Sequence, residues 1–288
     1  MTSSDKVIVT CALTGVLANR DQCPWVPYTQ EEIAEEARRA YEAGAAVVHI
    51  HARTDEGAPT YEPSVYAAIR RETERRCPVI LNFSTGGMGP MEDRVAHIAQ
   101  VKPALGALNM GSMNYAKYSA KRKDFVFDFV FENPFRDIAF LLSVMKEAGV
   151  KPELECFDVG HTNSIGPLID KGLLKRPLQF SFIMGVLGGI RATAENLMTQ
   201  AREAPEDSTW EVIGISHEQW RMVAAALSLG GNVRVGLEDN FYLDAQGTQM
   251  ARSNGDLVAK AVRMARDIGR EPATVSQARE ILSLDRVW

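Results

Sequence analysis

Short apolar runs alternate with amphipathic stretches along the whole chain. "VIVTCAL" reads as a strand, the polar loop "TGVLANRDQCPWVPYT" comes next, and "QEEIAEEARRAYEAGA" is an amphipathic helix that ends in glycine. The same grammar recurs in "AVVHIHA" with "PSVYAAIRRETERR", "VILNFS" with "MEDRVAHIAQV", and "LGALNMG" with "RDIAFLLSVMKEAG". It continues through "KPELECFDVG" with "NSIGPLIDKG", "LQFSFIMG" with "TAENLMTQAR", "WEVIGIS" with "EQWRMVAAALSLGG", and "NVRVGLED" with "GDLVAKAVRMARDIG". Helices that carry the chain back to the same end of a sheet demand parallel strands. Eight such units without a dinucleotide fingerprint favour a closed (β/α)8 TIM barrel over an open doubly wound sheet. A long insertion, "NYAKYSAKRKDFVFDFVFENPF", comes after strand four, and "TVSQAREILSL" predicts a terminal helix on the outside. No Pro-, Gly- or Ser-rich linker interrupts the pattern, so residues 1–288 are expected to form a single domain.

In such a barrel the chemistry belongs at the C-terminal ends of the strands and in the loops just beyond them. Strand two obliges with "VVHIHARTDEG". Residues two apart in a strand share a face, so His49 and His51 point the same way, about 6.5 Å apart along the chain. Two neutral imidazoles on one wall start a site for zinc or another first-row metal; the competing reading is a pair of hydrogen-bonded core histidines. Strand eight, "NVRVGLEDN", offers a third ligand. Arg234, Gly236 and Glu238 share parity, and Asp239 opens the loop. Strands two and eight flank strand one, so two interstrand steps of about 4.8 Å bring Glu238 within reach of the histidines. Burying Arg234, Glu238 and Asp239 together is costly for a mere ion-pair cluster, which argues for use.

Two further loops carry polar material. "STGG" after strand three presents the hydroxyls of Ser84 and Thr85, with Gly86 and Gly87 letting backbone N–H groups approach a carboxylate. "GVLGGIRATAEN" after strand six, leading into a helix start near Thr193, reads equally as a phosphate cradle or as tight turns. His97 falls in an outer helix and reads as structural. His161, in "FDVGH", is either a substrate contact or a loop hydrogen-bonding residue, and His217 reads as helix-terminal.

Composition narrows the partners. The chain has 288 residues, 45% hydrophobic and 24% charged, with a net charge of -5. That balance suits a globular protein with a large core and argues against nucleic acid. The densest basic stretch, "KYSAKRKD", is a solvated loop or a contact for a small phosphorylated ligand. No window approaches the ~20 apolar residues of a membrane span. "MTSSDKVIVTCAL" lacks the pattern of a secretion signal. The four cysteines, Cys11, Cys23, Cys77 and Cys156, form no CxxC pair, which fits a reducing cytoplasm.

Taken together, "TGV", "HIHARTDEG", "STGG", "LNMGSMNY", "ENPF", "PELECFD", "GVLGG", "RVGLEDN" and "QAREIL" resemble the beta-keto acid cleavage enzyme family over nearly the whole chain. The resemblance implies a zinc-dependent barrel that condenses a 3-oxoacid with acetyl-CoA, giving acetoacetate and the CoA ester of the shortened acid. It implies His49, His51 and Glu238 as zinc ligands, Asp239 as general base and Arg234 as its assistant. Ser84 and Gly87, with Thr85 between them, resemble the substrate-carboxylate site, and Ser112 stands where the family often has threonine. It also implies a homotetramer, and the aromatic insertion is the expected subunit contact. One position departs from the pattern. Members that accept an amino-bearing substrate have an acidic residue where this chain has Leu17, which predicts a substrate whose far end is uncharged or apolar, unless Arg20, Asn19 or His161 receives a polar tail.

Two other functions compete. An amidohydrolase-type metal hydrolase also uses an HxH pair, but on strand one and with histidines from strands five and six, whereas "LQFSFIMG" has none. A barrel that binds zinc and a CoA ligand as a non-catalytic sensor would leave Asp239 and Arg234 idle.

Overall fold

The computed structural model describes residues 5–285. Met1 to Ser4, where the N-terminal signal was sought, lie outside the described residues. Eight strands, β1 (Val9–Ala12), β2 (Val47–Ile50), β3 (Ile80–Ser84), β4 (Leu105–Asn109), β5 (Lys151–Cys156), β6 (Gln179–Met184), β7 (Thr209–Gly214) and β8 (Asn232–Val235), close into a parallel barrel in chain order. Arg234 on β8 pairs with Thr10 on β1, and Ala12 on β1 pairs with His49 on β2, so β1 separates β2 from β8 as expected. This is the (β/α)8 barrel.

Helices α1 (Gln30–Ala43), α2 (Pro63–Arg76), α3 (Met91–Val101) and α4 (Phe135–Ala148) cover the first half of the barrel. Each buries an apolar stripe against the strands; on α1 the stripe is Ile33, Ala34, Ala37 and Ala40. The start of α1 is fixed by a capping box, in which Thr29 accepts the Glu32 N–H and Glu32 accepts the Thr29 N–H. After β5 the expected single helix is two short ones, α5 (Val159–Asn163) and α6 (Ile165–Asp170), divided at Ser164, whose hydroxyl donates to the Gly160 carbonyl. Then α7 (Ala194–Glu203), α8 (Gln219–Ser228) and α9 (Asn254–Asp267) complete the ring.

One further element differs from the sequence reading. The terminal helix α10 (Val275–Ile281) does not lie on the outer wall. Its Ala278 and the adjoining Leu282 pack with Ile8, Val47, Ile80 and Leu105, so it closes the barrel at the N-terminal ends of the strands. Lys151 joins this floor, donating from Nζ to the Leu282 carbonyl at 2.6 Å. The insertion is an antiparallel hairpin, Met113–Ser119 with Asp124–Phe131. Tyr115 stacks on Phe127 and Phe129, while Met113, Phe157, Ile183, Val186 and Ile213 bury its base at the opposite, C-terminal mouth.

The barrel interior is more polar than the hydrophobic pattern implied. Thr10 on β1 donates to Glu211 on β7 at 2.6 Å, and Asn82 on β3 donates to Glu153 on β5 at 2.7 Å. Each bond skips a strand, so it can only run through the lumen. Gln179 also donates to Glu153, at 2.9 Å, and Ser181 to Glu211, at 3.1 Å.

Candidate active site

The site stands on this polar floor at the C-terminal mouth. β2 ends at Ile50, yet His51 still keeps to the strand direction because Thr14 substitutes for a partner strand. The Thr14 hydroxyl accepts the His51 N–H at 3.1 Å and donates to its carbonyl at 2.6 Å. The two imidazoles therefore share the lumen, with ring centroids 5.2 Å apart.

Glu238 reaches the same point by another route. β8 ends at Val235, so strand parity does not govern residues 236–240. Gly236 turns the chain, and the N–H groups of Asp239 and Asn240 both donate to its carbonyl at 3.1 Å. In that turn the adjacent carboxylates of Glu238 and Asp239 converge on one guanidinium. Arg234 donates from Nε to Asp239 Oδ2 at 2.9 Å and from Nη2 to Asp239 Oδ1 at 3.0 Å, and Nη2 also reaches Glu238 Oε1 at 2.5 Å. Its Nη1 faces Glu155 Oε1 at 3.5 Å.

Glu238 Oε1 lies 3.6 Å from Nε2 of His49 and 3.6 Å from Nε2 of His51. Ligand atoms about 2.1 Å from a shared tetrahedral ion sit about 3.4 Å from one another, so these separations match a common cation. His49 Nε2 and Glu238 Oε2 are buried without a hydrogen-bond partner, a costly arrangement that an ion would relieve. The donor set of two imidazoles and one carboxylate suits zinc and its neighbours. Burial, aided by Arg234, pushes His49 well below its ordinary pKa, which keeps the ring neutral and able to ligate. Burial opposes charge on Glu238, but Arg234 and the two histidines override it and hold the carboxylate well below its usual range. Burial raises Asp239 against the pull of Arg234, the direction wanted in a base that must give up its proton again. A second grouping, His49 with Glu153 and Glu155, is also close enough for an ion. There, however, Glu153 Oε2 already accepts two amides and Glu155 faces Arg234.

The remaining candidates divide. Ser84 is buried and accepts the Gly86 N–H at 3.0 Å, which leaves its own proton to give. A Cβ on Gly86 would lie 3.9 Å from His51 Cε1, so this loop borders the histidines. Gly87 has no room for a side chain, since a Cβ there would meet the Tyr61 hydroxyl at 1.5 Å. Thr85 is turned away and donates its hydroxyl to the Ala107 carbonyl at 2.8 Å. Ser112 accepts the Asn133 N–H at 2.7 Å, which ties the two ends of the hairpin together. His161 is buried, with Nδ1 accepting the Phe157 N–H at 3.3 Å. Leu17 is 54% exposed on the loop after β1. His97 stacks on Tyr66 and contacts the Ser84 carbonyl at 3.0 Å, a packing role. His217 lies in a 3-10 turn, Ser216–Glu218, and stacks on Tyr242.

Sequence reasoning missed Arg53 and the acidic floor. Arg53 is buried among carbonyls, donating to Gly15 at 2.6 Å, Ala18 at 2.7 Å and Gly57 at 2.8 Å, and thereby fixes the loop that carries Leu17. Glu153 and Glu155 are two apart in "PELECFD", the same parity that singled out the histidines. The signal for that floor is therefore present in the sequence.

The sequence profile of the beta-keto acid cleavage enzyme family matches residues 6–284. The chain belongs to the beta-keto acid cleavage enzyme family. A 3-keto-5-aminohexanoate cleavage enzyme of Fusobacterium nucleatum is 38% identical over 284 residues, 98% of this chain and 99% of that one. A 3-oxoadipate:acetyl-CoA acetyltransferase of Cupriavidus necator is 33% identical over 282 residues, 96% of this chain and 94% of that one. The apo structure of ObcA superposes with a TM-score of 0.73 at 21% identity, covering 90% of this chain and 66% of that longer one, which supports the fold. Family membership makes the protein an enzyme and removes the sensor reading. No helix among the described residues is long and apolar enough to cross a membrane.

Proposed function

We propose that this beta-keto acid cleavage enzyme condenses a 3-oxoacid with acetyl-CoA, yielding acetoacetate and the CoA ester of the shortened acid. The observation that carries the reading is the convergence of His49, His51 and Glu238 beside the Arg234–Asp239 pair. Relatives named as a 3-oxoadipate:acetyl-CoA acetyltransferase and a 3,5-dioxohexanoate:acetyl-CoA acetone transferase support the reaction class. Zinc held by His49, His51 and Glu238 would supply Lewis-acid polarisation of the substrate's ketone oxygen.

The chain's own residues do the rest. Ser84 and the backbone at Gly87 receive the carboxylate, which points the carbon between carboxylate and ketone at Asp239. Asp239 removes a proton from that carbon, and Arg234 keeps its carboxylate aimed by gripping both oxygens. The enolate attacks the acetyl thioester and expels CoA thiolate. The thiolate adds to the original ketone carbon, and carbon–carbon cleavage gives the acyl-CoA and expels acetoacetate as its enolate, which takes back the proton held by Asp239. No enzyme nucleophile takes part.

Leu17 sets the far end of the substrate. Of the side chains able to meet a polar tail instead, Arg20 is bound to Glu32 at 2.5 Å, Asn19 Oδ1 accepts the Gln22 N–H at 3.1 Å and His161 Nδ1 is taken by Phe157. The preferred acid therefore carries an uncharged or apolar tail. We further read the chain as a single domain that assembles into a homotetramer through the hairpin. The four buried, unpaired cysteines suit a reducing cytoplasm.

The test is acetoacetate formation by the zinc-loaded protein with acetyl-CoA and 3-oxoacids that differ only at the distal end. One acid giving equal amounts of acetoacetate and its shortened CoA ester is the expected result. A fully zinc-loaded protein inert toward every acid would refute it.

A further inference from the structure

The loop after β3 is gripped from behind by two side chains to which the reaction assigns no part. Arg94, on α3, is only 4% exposed, and its Nε donates to the Thr85 carbonyl at 2.9 Å. Tyr61, just before α2, donates its hydroxyl to the next carbonyl, that of Gly86, at 3.4 Å. The preceding carbonyl, of Ser84, meets Nε2 of His97, whose ring stacks on Tyr61. Three carbonyls in succession are thus drawn toward the outer helices.

A trans peptide is planar, so its C=O and N–H point in opposite directions. Holding the Thr85 carbonyl outward turns the Gly86 N–H inward, where Ser84 Oγ accepts it at 3.0 Å. Holding the Gly86 carbonyl outward turns the Gly87 N–H toward the same side, and that N–H has no acceptor among the described residues. Either peptide, flipped, would aim a carbonyl oxygen at a bound carboxylate. Two adjacent glycines accept most backbone conformations, so the sequence of the loop does not forbid the flip. The choice is made from outside the loop, by the donors that face it.

We propose that Arg94 and Tyr61 are positioning residues for the carboxylate of the keto acid, holding the Thr85 and Gly86 carbonyls outward so that the loop presents N–H groups to the ligand. This rests on the reading of Ser84 and Gly87 as the carboxylate site. Successive N–H groups make an anion-binding concavity only while they point the same way. Arg94 also reaches Asn133 Oδ1 at 3.5 Å, and the Asn133 N–H donates to Ser112 Oγ, so one guanidinium ties the carboxylate loop to the base of the hairpin.

The experiment compares an acid with its ester. Zinc-loaded protein is titrated calorimetrically, without acetyl-CoA, with 3-oxohexanoate and with methyl 3-oxohexanoate, which keeps the ketone and the tail and lacks the charge. The ratio of the two dissociation constants reads the carboxylate site, whereas a general loosening of the fold weakens both ligands together. The wild type is expected to favour the acid by about 10-fold or more, the usual worth of hydrogen bonds to a charged group. Arg94→Met is expected to lose most of that preference with its zinc content unchanged, and Arg94→Lys, whose ammonium can still donate to the Thr85 carbonyl, to keep most of it. Tyr61→Phe removes a single hydroxyl and no charge, and is expected to lower the ratio about threefold, in line with one neutral hydrogen bond. A wild type that binds acid and ester equally ends the carboxylate reading of Ser84 and Gly87, and the proposal with it. A wild type that prefers the acid, beside an Arg94→Met protein with the same ratio or with both ligands weakened alike, overturns the proposal and leaves the carboxylate reading standing. Should Arg94→Met fail to fold, an unchanged ratio in Tyr61→Phe overturns it instead.

Discussion

A methyl group on Gly15 would lie 2.6 Å from Glu238 Cγ. Gly15 also has φ of +63°, in the left-handed region where an added side chain costs about 1–2 kcal/mol. Backbone and site are therefore locked together at this residue, with Arg53 holding the Gly15 carbonyl from Nε and Nη2. Gly15→Ala must displace either the loop or the carboxylate. We expect the folded variant to lose about 100-fold in kcat/KM and to retain less zinc. Full zinc occupancy with unchanged kinetics would mean that the loop yields and Glu238 stays.

The neighbouring carboxylates are expected to separate cleanly. Glu238→Gln removes a ligand, so zinc affinity should drop, with activity tracking zinc concentration. Asp239→Asn removes the base and leaves the three ligands in place. Its zinc content should remain near wild type while kcat falls by about 100- to 10,000-fold, the usual worth of a general base. Metal analysis beside steady-state kinetics decides between the roles; loss of zinc from Asp239→Asn would mean that the two carboxylates act as one unit.

Legibility in the sequence tracks periodicity. The eight units, the histidine pair and the acidic loop after β8 repeat at strand or helix spacing, or stand at a strand end. Strand parity aligns Glu238 with Arg234, but the strand ends at Val235, and the turn at Gly236 is what brings Glu238 and Asp239 together. The path of α10 was not legible, because an apolar stripe says that a helix is covered without saying by which surface. Glu153, Glu155 and Glu211 were passed over because a buried carboxylate looks out of place until its partners, Asn82, Arg234 and Thr10, arrive from distant segments.

One of those carboxylates gives a pH dependence. Glu211 is buried and, among the described residues, is bound by the hydroxyls of Thr10 and Ser181; burial, with nearby Glu153, pushes its pKa from 4.5 up to about 8. The folded state therefore keeps a proton that the unfolded chain has already released. Stability must fall as pH rises from about 4.5 toward 8, since the folded form binds more protons across that window. Glu211→Gln replaces the protonated acid with an amide of similar shape. Its melting temperature is expected to decline less than the wild type's between pH 5 and pH 8. Parallel melting curves for the two proteins would show that Glu211 is ionised in the fold.

The hairpin has one satisfied face and one bare one. Phe127, Phe129 and Phe131 are half-buried around Tyr115, whereas Val126 and Val130, of opposite parity, are 45% and 59% exposed. Apolar residues on the outer face of a protruding ribbon suit a subunit contact. Carboxylates there would have to be desolvated on assembly. Val126→Asp combined with Val130→Asp is therefore expected to shift a tetramer toward smaller species in sedimentation equilibrium. A wild-type protein that sediments as a monomer at micromolar concentration removes the basis for this expectation.

Leu17 offers the most direct control of substrate choice, because it is exposed on a loop that Arg53 and Gly15 hold against the site. A substrate ammonium placed beside it would give up water and gain no counter-charge. Leu17→Glu supplies that charge. The new pair remains open to solvent, so it is worth at most about 1 kcal/mol, which corresponds to roughly fivefold. The ratio of kcat/KM for 3-keto-5-aminohexanoate to that for 3-oxohexanoate is thus expected to rise about fivefold in the variant and to fall back with added salt, as exposed pairs do. Equal ratios in the two proteins would place the distal end of the substrate beyond this loop. A wild-type enzyme that already prefers the amino acid would show that another group meets the ammonium, and the apolar-tail reading would be lost.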